Sequence, residues 1–181
     1  METCLIYGTG GHALTVEELA IKEGYRLIAY FDDNVKVQQQ YRDRMVLKYD
    51  SMFNHECPVI IAIGNNAARK RIAAIVAHRY CTLKDQSAII SKTVYIGKGT
   101  VVMPGSVIQA DVQIGPHCIL NIGSAVDHEV QIGAFVHVGP KVYIGGGAVI
   151  GEGANIGAGT IVMRNAVVPP WTDVPPNRVV I

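Results

Sequence analysis

The stretch IGPHCILNIGSAVDHEVQIGAFVHV, residues 114–138, places an aliphatic residue at every sixth position: Ile114, Leu120, Val126, Ile132 and Val138. The series runs outward unbroken, back through Ile108, Val102 and Ile96 to Ile90, and on through Ile144, Ile150, Ile156 and Val162 to Val168. Four residues after each of the first thirteen stands a small or β-branched residue, from Val94 and Thr100 to Thr160 and Ala166. A fixed period takes precedence over local secondary-structure preference. Six residues match neither the 3.6 of an α-helix nor the alternation of a two-sided strand. They match one flat side of a coil, a short strand followed by a corner, with the large side chain inside and the smaller one filling the space beside it. Seven of the thirteen residues that directly follow an aliphatic position are glycine: Gly97, Gly115, Gly133, Gly139, Gly145, Gly151 and Gly157. Glycine is expected there if the corner demands backbone angles that a Cβ resists. Stacked coils pair as parallel strands about 4.8 Å apart, and three sides per turn give a little over four coils across residues 88–168.

Upstream the grammar changes. Of the 31 charged residues, 21 lie in residues 1–87, whereas 14 of the 19 glycines lie between Gly97 and Gly159. Two domains are therefore expected, 1–87 and 88–181. The first reads as alternating strands and helices. A strand Cys4–Tyr7 runs into a glycine string and a helix that continues to about Glu23 and stops at Gly24. A second strand, Arg26–Phe31, ends at Asp32-Asp33, and a third, Val59–Ile63, ends at Gly64-Asn65-Asn66 before a helix from about Ala67 to His78. Asn34–His55 reads as mostly loop. The three strand-end loops then gather on one edge of a parallel sheet, where open α/β sheets bind ligands.

Composition removes several classes of function. Sixteen Lys+Arg against fifteen Asp+Glu leave a net charge of +1, with no basic stripe to neutralise a run of phosphates, so no nucleic-acid partner is expected. Cys4, Cys57, Cys81 and Cys118 lie far apart without a CxxC pair, which reads as reduced packing thiols of a cytoplasmic protein. No apolar run approaches bilayer length and the first residues lack a signal-peptide pattern, so membrane insertion is not expected.

Gly8-x-Gly10-x-x-Ala13 followed by Asp32 fits the dinucleotide fingerprint loosely: glycines admit a phosphate to the amides at a helix N-terminus, and the acid grips ribose or base. Taken alone, the same residues are a glycine turn between strand and helix. The longer string Gly8-Thr9-Gly10-Gly11-His12-Ala13, joined to Asp32-Asp33, to Ile63-Gly64-Asn65-Asn66 and then to hexapeptide repeats, resembles the sugar acyltransferases of bacterial glycan and sialic acid synthesis, of the PglD and NeuD type. The resemblance implies a Rossmann-like nucleotide-sugar-binding domain ahead of a left-handed parallel β-helix, although the general rule for parallel crossovers gives the opposite hand. It also implies a homotrimer, acetyl-CoA as co-substrate and a nucleotide-sugar acceptor. By the same resemblance Gly10, Gly11, His12, Asp32, Asp33 and Gly64 hold the nucleotide-sugar.

Ser124-Ala125-Val126-Asp127-His128-Glu129-Val130 is unusual among the repeats. His128 falls off the core register between two acids, so it should stand outside the coil with its basicity raised by its neighbours. An isolated histidine there is most simply a solvated surface residue. With Asn121, the Asp-His-Glu string and His137 together, the resemblance implies that His128 is the general base, that Glu129 supports it and that His137 contacts acetyl-CoA. Gly145-Gly146-Gly147 is either a permissive corner or a close approach for the thioester, with the Gly146 amide available to an oxyanion. Ala158 and Arg164 lie where the resemblance puts the coenzyme A shelf. His117, His128 and His137 lack the spacing of the metal-binding branch of this coil, so no catalytic metal is expected.

The expected reaction is transfer of acetyl from acetyl-CoA to the amine of a nucleotide-linked amino-sugar, with UDP as the expected nucleotide. The nearest alternative is an O-acetyltransferase acting on sialic acid or another sugar hydroxyl. An NAD-dependent oxidoreductase using the glycine loop leaves the fourteen hexads unexplained. A non-catalytic scaffold would bind the nucleotide-sugar without turning over acetyl-CoA.

Overall fold

The computed structural model describes residues 2–34 and 40–181. The chain divides into two compact units, Met1–Leu83 and Lys84–Ile181.

The first unit runs β1 (Thr3–Tyr7), α1 (Gly11–Lys22), β2 (Arg26–Phe31), β3 (Gln40–Tyr41), β4 (Arg44–Leu47), β5 (Val59–Ile61) and α2 (Asn66–Ala73). Its sheet has the order β3-β4-β2-β1-β5. The pairs β4·β2, β2·β1 and β1·β5 are parallel, whereas β3 and β4 are antiparallel, so the unit is an α/β domain with a mixed sheet. The central strands read as continuous apolar runs because neither face meets water; Cys4, Leu5, Ile6 and Tyr7 are at most 1% exposed. The first helix ends where expected, with Glu23 as its C-cap, whereas the third strand and the second helix are shorter than expected. The stretch Asn34–His55, read as mostly loop, is so among its described residues apart from the short strands β3 and β4, and residues 35–39 lie outside the described residues. Arg42 and Asp43 make the hairpin turn with φ of 49° and 60°, a geometry usually announced by Asn-Gly or Asp-Gly. Without a glycine, the sequence signal for the hairpin is missing. Burial pushes the thiols of Cys4 and Cys81 up to about 12, so both stay protonated.

The second unit is a coil of two-residue strands forming three parallel ladders. The first contains Ala125–Val126 and Tyr143–Ile144, the second Gln131–Ile132 and Val149–Ile150, and the third Ile119–Leu120 and His137–Val138. Register advances by eighteen residues per coil, as in Ala125↔Tyr143 and Ile119↔His137. The ladders begin at Leu83–Lys84 and end at Val179–Val180. They thus run past both ends of the unbroken hexad series, giving more than five coils rather than the expected four. Inside, the sixth-position residues from Val102 to Val168 are almost fully buried. Two of the small polar residues packed beside them, Thr100 and Ser106, are satisfied one coil on. Thr100 Oγ1 donates to the Gly115 carbonyl at 3.0 Å and Ser106 Oγ to the Asn121 carbonyl at 3.2 Å, which removes the cost of burying a hydroxyl.

The explanation of the seven repeat glycines is corrected. None of them adopts a positive φ. They allow backbones to approach between coils: a Cβ on Gly115 would lie 2.6 Å from the Ala134 nitrogen. The left-handed corner falls two residues later, the third after each aliphatic position from Ile96 to Val168. Gly99 and Gly105, and also Asp111, His117, Glu129, Phe135, Lys141, Asn165, Trp171 and Asn177, have φ between 54° and 73° there.

Candidate functional site

Parallel strands β2, β1 and β5 lie side by side, so the loops after Phe31, Tyr7 and Ile61 meet at one sheet edge, on either side of the point where chain order reverses. They frame an open cleft of about 870 Å³ lined by Gly8, Gly10, Gly11, His12, Asp32, Asp33 and Gly64, among others. All six residues expected to hold a nucleotide-sugar therefore line one cleft. Helix α1 begins there at Gly10, which has no side-chain cap and no acid in the following turn. Its first amides and its dipole are available to an anion.

The two acids of the cleft differ. Both oxygens of Asp32 are engaged by the protein: Oδ2 accepts from the Thr9 amide at 3.0 Å and the Thr9 hydroxyl at 2.6 Å, and Oδ1 accepts from the Asn34 amide at 2.9 Å. Asp32 thus ties the glycine string to the end of β2. Asp33 accepts at Oδ1 from the Tyr7 hydroxyl at 2.6 Å and is the freer of the two. Burial, then this hydrogen bond, pushes the Tyr7 phenol well above its ordinary value. Arg69, buried in the same unit, donates to the carbonyls of Ile63 and Gly64 at 2.8 and 3.1 Å and to Asn66 Oδ1 at 2.8 Å, holding the third loop. Tyr7, Thr9 and Arg69 were not singled out from the sequence. Tyr7 was findable as the last strand residue before the glycine string, whereas nothing local marks Arg69.

Burial, with the Arg69 guanidinium nearby, holds the His12 imidazole down at about 4, from 6.5. Its Nε2 is buried with no hydrogen-bond partner among the described residues. The unfolded chain therefore binds a proton in the window between 6.5 and 4 that the folded chain refuses. His12 costs no stability above pH 6.5, and up to ~3 kcal/mol is lost as pH falls toward 4. Unfolding of the N-terminal unit, followed by its tyrosine circular dichroism, should show this loss, and His12→Asn should flatten it. A second expectation concerns binding. Asp33→Ala and His12→Ala should raise the KM of the nucleotide-linked acceptor with a smaller change for acetyl-CoA, which steady-state kinetics would read directly.

In the coil, His128 and Glu129 are brought together. His128 Nδ1 lies 2.9 Å from Glu129 Oε2; a carboxylate only accepts, so Nδ1 donates to it, and in the neutral ring the lone pair is on Nε2. The imidazole is about half exposed, as expected for a side chain off the core register. Gly146 lies one coil above, and a Cβ there would stand 2.8 Å from Cε1 and 2.9 Å from Nε2 of His128. The Gly146 amide has no acceptor among the described residues. The three consecutive glycines answer three different demands. Gly145 passes close to the Arg164 backbone, Gly146 makes room for the imidazole, and Gly147 turns the corner at φ 71°.

His137 stands apart from this group. It belongs to the flat side opposite the corner that carries His128, and its Nε2 accepts from Asn121 Nδ2 at 3.1 Å. Ala158 is exposed at the next corner after that side. Successive coils of one chain therefore gather His128, Glu129 and Gly146 at one corner and His137, Asn121 and Ala158 on another side. Among the described residues, no three His, Cys, Asp or Glu side chains gather as metal ligands. Among the described residues, no helix is long and apolar enough to cross a membrane.

An α/β unit with a glycine-framed cleft is thus joined in one chain to a coil of six-residue repeats. The family described as PglD N-terminal domain matches residues 4–76, and that described as bacterial transferase hexapeptide (six repeats) matches residues 93–127 and 129–164. The chain thus joins a PglD-type N-terminal domain to bacterial transferase hexapeptide repeats. Among curated proteins it is similar to a UDP-N-acetylbacillosamine N-acetyltransferase of Bacillus subtilis (strain 168), 34% identical over 113 residues. That alignment takes in 57% of this chain and 52% of the relative, so the chain spans about half the relative's length. Among solved structures, the acetyltransferase domain of PglB from Neisseria gonorrhoeae FA1090 superposes with a TM-score of 0.90 at 28% identity, covering 100% of this chain and 92% of that one. PerB from Caulobacter crescentus, solved in complex with CoA and GDP-perosamine, superposes with a TM-score of 0.91 at 29% identity, covering 100% and 89%. The coil is thus a left-handed parallel β-helix.

Proposed function

We propose that the protein is an acetyl-CoA-dependent N-acetyltransferase acting on the amine of a nucleotide-linked amino-sugar in bacterial glycan biosynthesis, working in the cytoplasm as a homotrimer. The observation that carries this reading is the His128 corner, where an imidazole whose Nδ1 proton is held by Glu129 packs against Gly146, whose amide has no acceptor among the described residues. The relatives extend it: one is an N-acetyltransferase for UDP-N-acetylbacillosamine, and PerB binds CoA and GDP-perosamine.

The reaction follows from these groups. The amine nitrogen attacks the thioester carbonyl carbon, and the new C–N bond gives a tetrahedral intermediate whose oxyanion takes the Gly146 N–H. His128 Nε2 removes the proton that the nitrogen must lose. The C–S bond then breaks and the leaving thiolate collects that proton, giving the amide and free coenzyme A. The N-terminal cleft holds the nucleotide end of the acceptor through Asp33, His12 and the glycine loop, with Asp32 and Gly64 shaping the cleft. His137 and Ala158 contact acetyl-CoA. Because one coil keeps His137 away from His128, a site that uses both takes them from two copies, which supports the trimer; light scattering showing a concentration-independent monomer would remove that part of the reading.

Glu129 separates chemistry from stability. It occupies a left-handed corner at φ 61°, where a Cβ costs roughly 1–2 kcal/mol. Glu129→Gly should therefore melt no lower than the natural protein and yet lose activity, as thermal unfolding and kcat measured side by side would show. The reading as a whole is tested by following thiol release from acetyl-CoA across UDP- and GDP-linked amino-sugars, sialic acids and their hydroxyl counterparts. Release only with amines supports it; release only with hydroxyl acceptors favours the O-acetyltransferase.

A further inference from the structure

The two acids beside His128 are not equivalent. Glu129 engages Nδ1, whereas Asp127 stands toward the other ring nitrogen, with Oδ1 3.9 Å from Nε2. That separation is too long for a hydrogen bond. It leaves room for a nitrogen placed about 2.9 Å from both atoms, an ordinary hydrogen-bond distance to each. Asp127 is also held from two directions. Its Oδ1 accepts from the His128 amide at 2.8 Å, and its Oδ2 accepts from the Tyr143 hydroxyl at 3.0 Å, reaching down from the next coil.

We infer that Asp127 is the anchor for the acceptor's amine, receiving one N–H of the attacking nitrogen while another points to His128 Nε2, and that it selects an amine over a hydroxyl. This rests on the N-acetyltransferase reading and deepens it. The selection is a matter of counting hydrogens. A neutral amine carries two, so it satisfies the carboxylate and the imidazole together and still presents its lone pair to the thioester. A hydroxyl carries one. If that hydrogen goes to His128, an oxygen lone pair faces the Asp127 carboxylate; if it goes to Asp127, the base has nothing to remove. During transfer the proton on the His128 side leaves, and the one on the Asp127 side remains as the N–H of the product amide. The His128 amide, then the Tyr143 hydroxyl, holds the Asp127 carboxyl below its ordinary range, so the anchor is an anion at neutral pH. Tyr143 acts through Asp127 and is a positioning residue.

The experiment is steady-state kinetics of the natural protein, Asp127→Asn and Tyr143→Phe, with UDP-N-acetylbacillosamine and GDP-perosamine as acceptors and with their hydroxyl counterparts. Asparagine keeps a side-chain oxygen for the His128 amide, so the corner is retained. Losing a charge-assisted hydrogen bond should lower kcat/KM for the amine about ten- to hundredfold. The acetyl-CoA KM should stay unchanged and the preference for amine over hydroxyl should fall. Tyr143→Phe should move the same quantities the same way by less. Unchanged kcat/KM for the amine in Asp127→Asn would overturn the anchor while leaving the N-acetyltransferase reading in place. An equal rise in the acetyl-CoA KM, or a lowered melting temperature, would also overturn it, because Asp127 would then serve only the corner. Failure of the natural protein to acetylate any amine would overturn the N-acetyltransferase reading and the anchor with it.

Discussion

His128→Ala is expected to lower kcat by a factor of about 10² to 10⁴, the usual contribution of a positioned general base. Folding should be unaffected, because the side chain is about half exposed and contributes nothing to the aliphatic interior of the coil. Binding of acetyl-CoA and of the nucleotide-sugar should also survive, since neither the cleft of the N-terminal unit nor the His137 side includes His128. A loss confined to kcat, with KM values and circular dichroism retained, identifies a group that acts in the transition state. A near-normal kcat would make His128 a solvated surface residue and move the search for the base elsewhere on the coil.

Gly146→Ala should produce a loss of similar size by a different route. The added methyl would lie 2.8 Å from Cε1 and 2.9 Å from Nε2 of His128, closer than van der Waals contact allows. The backbone conformation of Gly146 is not left-handed, so alanine is not strained there in itself. The imidazole is the far end of a mobile side chain and can give way, so the fold should hold. Giving way takes the ring from its place beside Glu129 Oε2, and Nε2 then leaves the position it holds against Gly146. A melting temperature close to that of the natural protein, together with kcat lowered about 10²-fold or more, is the expected pair of results. Normal activity in Gly146→Ala would mean that the observed ring position is not the one used in transfer.

The fold of the second unit was legible because its period is global. Fourteen aliphatic positions in register outweigh any local preference, and the corners follow from that count. What could not be read was why each glycine is present. Close backbone approach and a left-handed φ both select glycine, and only the spacing of the coils shows that Gly115 answers the first demand and Gly147 the second. The hairpin of β3 and β4 was hidden for the converse reason, since Arg42 and Asp43 take left-handed angles without the residue types that advertise them. In the N-terminal unit, the glycine string and the Asp32-Asp33 pair stand at strand ends and were readable as one cleft. Their division of labour was not, because Asp32 serving Thr9 and Asn34 is a matter of which way a carboxylate turns. At the His128 corner, sequence placed His128 and its carboxylate neighbour Glu129 side by side. The partners one coil away, Gly146 above the ring and Tyr143 above Asp127, were left to the three-dimensional stacking.

The most direct test of the account is identification of the product. The natural protein should be incubated with acetyl-CoA and either UDP-N-acetylbacillosamine or GDP-perosamine, and the sugar analysed by mass spectrometry and by proton and carbon NMR. The account predicts a gain of one acetyl group per sugar, attached to nitrogen as an amide, matched by one free coenzyme A thiol and abolished to within the factor expected for His128→Ala. Acetyl found on a sugar oxygen, or acetyl-CoA consumed at the same rate with no nucleotide-sugar present, would contradict it.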